Sequence, residues 1–298
     1  MRGVTRARKT GWIAASISIA LTCFWAFWGI IENFHEGWHY PALAPNLGLM
    51  IGQYLSPMLL FMLATLTSLA RPRLGAALHV IAAILVGWFF RVWSNPGLLL
   101  LAAPLIALAC LYWTGRPEPR RLAMALAVGL PAITLLVAGA EPVARIAGRI
   151  DDGNLRARLV QGNEMALTWA GEGPGWPRAG ADWHQAQQVC ESLLLDGSAL
   201  ANSPQRIWRL PKADEAVRSM ARHGANSGGV WDATTGRASY VTMPDKESPL
   251  WDVHSQVIYW WTATELDAGR AYIIAYDGRV WPRAKQTRPD SLGFRCVK

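Results

Sequence analysis

LAMALAVGLPAITLLVAGA, residues 122–140, is followed at once by EPVARIAGRIDDGN, residues 141–154, and the contrast between the two decides how the chain is organised. The first stretch carries no charge over a length close to the roughly 20 helical residues that a hydrocarbon layer requires. The second carries Glu141, Arg145, Arg149, Asp151 and Asp152. Toward the N-terminus, residues 11–31, 47–70, 74–90 and 97–114 are likewise free of charged side chains. These runs predict a multi-pass α-helical membrane domain of five helices over residues 1–140, with a water-soluble half after it.

Orientation follows from the placement of Lys and Arg, because short cation-rich loops stay in the cytoplasm. Arg2, Arg6, Arg8 and Lys9 precede the first run. Arg71 and Arg73 separate the second from the third, and Arg116, Arg120 and Arg121 separate the fourth from the fifth, whereas residues 32–46 hold neither Lys nor Arg. The expectation is a bacterial inner-membrane protein with a cytoplasmic N-terminus and a periplasmic C-terminal half. Arg145, Arg149, Arg156 and Arg158 pull the other way, but they open a long domain, and such domains translocate largely regardless of charge. A cleaved signal sequence is the alternative for the first run; its length and its Trp12, Trp25 and Trp28 argue for an anchor.

Composition agrees, with 52% hydrophobic and 17% charged residues, against the roughly 25% charged of soluble domains. The net charge of +8 is largely that of the topology-setting cations, and no basic helix or nucleic-acid motif accompanies it, which excludes a nucleic-acid partner. Pro57, Pro104 and Pro131 lie inside apolar runs, where proline kinks a helix. His79 is the one ionisable group to consider within a run, near its cytoplasmic end, and it reads as a buried, hydrogen-bonded or snorkelling histidine, so the membrane half is an anchor or docking surface more than a pathway.

The first outer loop reads Glu32-Asn33-Phe34-His35-Glu36-Gly37-Trp38-His39-Tyr40-Pro41. If the first helix continues by one turn, His35 and His39 share a face at i and i+4 with Glu32 a turn earlier, a candidate transition-metal site. The competing reading is an interfacial belt, since Trp38 and Tyr40 suit headgroup depth.

Residues 141–164 read as a juxtamembrane connector, with Val143, Ile146, Ala147 and Ile150 on one face of a short helix lying on the membrane surface. Beyond it Met165 to Trp169 is a strand, followed by a Gly/Pro loop over 171–180. Asp182 caps a helix whose apolar face is Trp183, Ala186, Val189, Cys190, Leu193 and Leu194, with Gly197 placed to end it. A second helix begins after Pro211, carries Asp214 and Glu215 in its first turn, and runs to near Gly224. Strands are expected over 257–263, 271–276, 279–284 and 292–297, with Asp277-Gly278 as a hairpin turn. Residues 165–298 are therefore an α+β domain of a usual size for one core.

Trp208-Arg209-Leu210-Pro211, then Glu215, then Ala221-Arg222-His223-Gly224 resembles the signature helix of the sulfatase-modifying-factor superfamily, which includes formylglycine-generating enzyme. Tyr259-Trp260-Trp261-Thr262-Ala263-Thr264-Glu265, Tyr276-Asp277-Gly278, and Leu292-Gly293-Phe294-Arg295-Cys296-Val297 are similar to the same superfamily and to the C-terminal domain of some collagen-like bacterial adhesins. The resemblance spans roughly residues 160–298 and implies a C-type-lectin-like fold. That fold in turn implies a disulfide from Cys190, on the first helix, to Cys296, on the last strand, which an extracytoplasmic compartment permits. Cys23 and Cys110 read as small apolar residues.

Catalytic chemistry does not follow. The resemblance to formylglycine-generating enzyme would require copper-binding cysteines shortly before the terminal Gly-Phe-Arg segment, and none lies between Tyr272 and Arg295. The related sulfoxide synthases hold iron on histidines, for which His35 and His39 are the candidates, yet the following His-x-Glu portion is missing. His184, His223 and His254 accompany no nucleophile motif. Asp232, Asp245, Glu247 and Asp252 are possible oxygen ligands for calcium, though their spacing matches no calcium loop.

What remains is a binding surface over 225–256, where Trp-Asp occurs at Trp231-Asp232 and again at Trp251-Asp252, with His254 close by. The expected function is recognition or scaffolding of a protein, peptide or glycan. The competing readings are a metal-dependent oxidase or synthase and an accessory subunit of a larger membrane complex.

Overall fold

The computed structural model describes residues 2–91 and 99–298, and the chain divides into two compact units. The first comprises Met1–Gly37 and Ala42–Ala144, the second Trp38–Pro41 and Arg145–Lys298.

In the first unit, helices α1 (Arg2–Glu32), α2 (Leu43–Leu49), α3 (Ser56–Ala70), α4 (Pro72–Phe89), α5 (Leu99–Thr114) and α6 (Arg120–Ala147) follow one another, with π-helical turns at Asn33–Gly37 and Met50–Tyr54. Among the described residues, three helical stretches are long and apolar enough to cross a membrane: Thr5–Gly37, Pro72–Phe89 and Arg120–Ala147. The expected second span is instead two pieces, Leu43–Tyr54 and Ser56–Ala70, bent by 57°. Pro57 explains the break, since it lies in the first turn of α3, where a missing amide hydrogen is tolerated, and it cannot continue a helix arriving from Tyr54. The expected fourth span, 97–114, begins among residues outside those described, and its described apolar part is the shorter helix Ala102–Thr114.

Small residues let these helices approach. Ala14, Ala15, Ile19, Leu69, Leu108, Tyr112, Ala123 and Ala127 form one core cluster, inside which the Tyr112 hydroxyl donates to Ser18 Oγ at 3.0 Å. A Cβ on Gly75 would meet Ser68 at 2.1 Å, so glycine permits the tight return from α3 into α4. His79 is buried and its Nδ1 lies 2.8 Å from Gly75 O, as a packing residue should. Leu60, Leu63, Ile84, Trp88, Phe89, Leu136 and Val137 all project outward, a surface suited to lipid and not to water.

The second unit is α+β. Strands β1 (Arg158–Gly162) and β2 (Met165–Trp169) form an antiparallel hairpin turned by Asn163 and Glu164, both at positive φ, as a type I′ turn demands. Helices α7 (Trp183–Ser192) and α8 (Ala213–Ser219) follow, then the short pairs β3 (Ala221–Arg222) with β4 (Ala225–Asn226) and β5 (Val230–Asp232) with β6 (Arg237–Ser239). Strands β7 (Tyr259–Asp267), β8 (Arg270–Ala275), β9 (Val280–Ala284) and β10 (Leu292–Gly293) make a sheet of order β10-β7-β8-β9, antiparallel except where β10 joins β7.

Side-chain alternation puts a core on each face of this sheet. Trp260 and Ile274 join Val160, Leu167, Trp169, Val217 and Met220 in one cluster. Trp261 and Ile273 join Trp183, Cys190, Leu193, Trp208 and Phe294 in the other. Cys190 and Cys296 are disulfide-bonded inside the second cluster.

Four local expectations are corrected. The connector 141–164 is not a separate surface helix: α6 runs on to Ala147, and β1 already lies within the segment. Helix α7 ends at Ser192, not near Gly197, because Leu193 turns extended and buries its side chain in the core. Helix α8 stops at Ser219, since His223 and Gly224, both at positive φ, turn the β3–β4 hairpin. The last strand is only Leu292–Gly293, with Val297 bridging separately to Trp169 and Arg209.

Candidate recognition surface

The framework residues fix the loops. Trp208 and Leu210 are buried, with Trp208 Nε1 donating to Leu194 O at 2.9 Å. Pro211 O accepts from Ala263 N at 2.7 Å, which ties the entry of α8 to β7. Arg209 grips Glu215 through both guanidinium nitrogens, at 2.5 and 2.6 Å, and Glu215 also accepts from Lys212 N at the helix start. Burial of Glu215 opposes ionisation, but these partners outweigh it and hold its carboxyl below the usual range. A Cβ on Gly293 would meet Val257 at 3.0 Å, and Phe294 beside it is buried.

Arg295 is buried, and among the described residues it has no carboxylate partner. Its Nε donates to Ala170 O at 2.7 Å, Nη1 to Pro249 O at 3.3 Å and also to Leu250 O, and its guanidinium lies 3.7 Å from the Trp176 ring centroid. Burial, with Arg158 adding repulsion, lowers its pKa to about 9. Carbonyl oxygens and aromatic faces thus replace the counter-ion. This cage fixes the 170–176 loop against 249–251.

A second buried network holds the start of the unit. Asp245, 1% exposed, accepts from Arg149 at 2.8 and 3.1 Å and from Arg222 at 2.7 Å, with Arg145 at 3.9 Å. Burial opposes ionisation of Asp245, but Arg149 outweighs it and the pKa lies below the ordinary value. Glu247 accepts from Ile150 N at 3.0 Å, and Ser248 exchanges hydrogen bonds with Ile150 and Asp152. The acids expected to offer oxygen to calcium are therefore not grouped. Asp245 and Glu247 serve the 145–152 segment, while Asp232 caps its own turn by accepting from Thr234 N and Thr235 Oγ1. Among the described residues no cluster of three or more His, Cys, Asp or Glu could hold a metal.

The same holds for Glu32, His35 and His39. Residues Asn33–Gly37 form a π-helical turn and Trp38–Pro41 groups with the second unit, so the α-helical i, i+4 face does not form. Gly37 sits against the Tyr54 ring, where a Cβ would come within 2.5 Å, and the chain leaves the helix there. His39 meets the second unit's own loop instead: His254 Nδ1 donates to His39 O at 3.2 Å, and Gln256 Nε2 lies 3.3 Å from His39 Nε2.

The paired Trp-Asp dipeptides are not equivalent. Trp251 is 3% exposed and stacks on Trp260 with ring centroids 3.7 Å apart, so it is core, a correction to its reading as a ligand-binding residue. Trp231 is half-buried on β5 against Tyr272, at 5.2 Å. Asp252 and His254 do reach the surface: Asp252 accepts from His254 N at 2.8 Å, and His254 Nε2 lies 3.5 Å from Asp151.

Asp252 lines a cleft with Leu155, Glu172, Trp176, Arg178 and Ser255, where Glu172 and Arg178 are ion-paired. Its internal space is about 10 Å³, room for about one water molecule. It presents charge on a fixed surface and does not enclose a small substrate. Sequence reasoning missed Glu172, Trp176 and Arg178, which lie in a Gly/Pro loop whose shape depends on Arg295, more than a hundred residues later.

Beneath this surface Lys246 is buried and donates to Ser255 O. Burial first, then Arg149, lowers its pKa from 10.5 to about 7. Below pH 7 folding must bury the ammonium; between 7 and 10.5 the unfolded chain holds a proton that the folded one has released, so stability rises with pH. The slope is at most about 1.4 kcal/mol per pH unit. Thermal unfolding between pH 7 and 9 should show this rise in the wild type and a flatter curve in Lys246→Met; equal slopes would contradict it.

Comparisons with protein-family models, with curated proteins and with solved structures found no match.

Proposed function

We propose that the protein is a membrane-anchored recognition or scaffold protein. Five helices hold it in a bacterial inner membrane with the N-terminus in the cytoplasm. A C-type-lectin-like domain related to the sulfatase-modifying-factor superfamily faces the periplasm and binds a protein, peptide or glycan. The observation that carries this reading is the surface around Asp252: Glu172, Arg178, Asp252 and His254 stand on loops locked from behind by the Arg295 cage and the Asp245 network. Charged groups on a rigid shallow surface suit an extended partner, whose affinity comes from many simultaneous contacts.

Three measurements test it. Reporter fusions at the carboxyl terminus should be active only when exported; activity confined to the cytosol would overturn the topology. Affinity capture from native membranes should recover a partner with the wild type and lose at least most of it with Arg178→Ala/Asp252→Ala. Stoichiometric copper or iron in purified protein would replace this reading with a metal-dependent oxidase.

A further inference from the structure

The first unit carries an apolar groove of about 370 Å³ between α4 and α5. Ala76, Ala77 and Val80 line it from the N-terminal half of α4, and Ala109, Cys110 and Trp113 from the last two turns of α5. The small side chains leave the space, and Trp113, 65% exposed, forms a wall at one end. The groove has almost no polar surface, and Thr114, the one hydroxyl beside it, already donates to Cys110 O at 3.0 Å. A polar ligand would find no partner there, whereas a hydrocarbon chain needs none.

The end of the groove is cationic. Arg73 lies one turn before Ala76, and its guanidinium stands 6.0 Å from the Trp113 ring centroid. It is exposed and makes no ion pair among the described residues. Arg71 precedes α4 and Arg116 follows α5, so the charge at this end is repeatedly positive. Apolar space ending in an unneutralised cation is complementary to one kind of molecule, an anionic amphiphile, and basic pockets between membrane helices on the cytoplasmic side take acidic headgroups.

We propose that this groove binds one anionic glycerophospholipid of the surrounding bilayer, an acyl chain lying between α4 and α5 and the phosphate at Arg73. The inference rests on the membrane reading and not on the nature of any periplasmic partner.

The test uses the full-length protein in detergent, incubated with equimolar phosphatidylglycerol and phosphatidylcholine of identical chains and examined by native mass spectrometry. The wild type should keep a one-to-one phosphatidylglycerol adduct in preference to phosphatidylcholine by about fivefold, the advantage expected of one cation near a headgroup. Arg73→Gln should bring that ratio to about one, and Val80→Trp, which fills the groove from a position 39% exposed, should remove the adduct. Equal retention of both lipids by the wild type overturns the proposal without recourse to any variant. So does a preference that survives Arg73→Gln or Val80→Trp in protein of unchanged circular dichroism. Cys110–Cys110 crosslinking of two copies in native membranes, with no lipid retained, would assign the groove to a second copy and equally overturn it. Extraction of the chain from membranes by alkaline carbonate would refute the membrane reading itself, independently of the lipid ratio.

Discussion

Asp245→Ala should destabilise the second unit by about 3–5 kcal/mol, the range for removing one partner from a buried ion pair. The carboxylate, 1% exposed, neutralises Arg149, whose side chain is 6% exposed, and Arg222, 13% exposed. Removing it leaves cations packed together with no acid and costs Lys246 N its acceptor at 2.7 Å. Asp245→Asn should fall in between, because the amide keeps one acceptor oxygen but no charge. Urea titration of the full chain in detergent, followed by tryptophan fluorescence, reads the effect as a lowered midpoint. Proteolysis between Ile150 and Asn154 should also accelerate, since Ile150 and Asp152 are held by Glu247 and Ser248 next to Asp245. A midpoint equal to the wild type would mean that the arginines find solvent and that the network carries no stability. The acid limb supplies a further check. The Asp245 pKa is depressed, so its contribution is complete above about pH 4 and is lost as pH falls through the folded-state value.

That network also shows where sequence reading stops. The apolar runs, the Asp182 cap and the strands alternating Trp260 with Trp261 are local patterns: charge-free length, one side chain reaching forward three residues to accept from Gln185 N, period two. Each is legible because its cause lies within a few positions. In the sequence Arg145 and Arg149 stand only as cations that pull against the orientation and are discounted as the opening of a long domain, since Asp245 lies about a hundred residues away and nothing nearby marks it as their partner. Trp251 was misread for the opposite reason: Trp231-Asp232 and Trp251-Asp252 are locally identical, and only the stacking of Trp251 on Trp260 separates them. The hairpin turns at Asn163-Glu164 and His223-Gly224 went unread because Asn-Glu and His-Gly are weak turn dipeptides. Positive φ there is imposed by the pairing of the flanking strands.

Breaking the Cys190–Cys296 bond should rank with the loss of Asp245. The bond closes a loop with a sequence separation of 106, and restraining so long a stretch of the unfolded chain stabilises by roughly 2–5 kcal/mol. Both sulfurs are fully buried between Trp208, Leu193 and Phe294, so the double variant Cys190→Ala/Cys296→Ala also vacates core volume. The two causes are separable. A reductant added during unfolding should lower the wild-type midpoint by the crosslink contribution alone and leave the double variant unmoved, and the remaining gap between reduced wild type and variant is the packing cost. Because the sulfurs are shielded, reduction should require opening of the domain, so its rate at low urea should track unfolding. A reductant that leaves the wild-type midpoint where it was would show that the crosslink contributes no stability and would overturn this expectation.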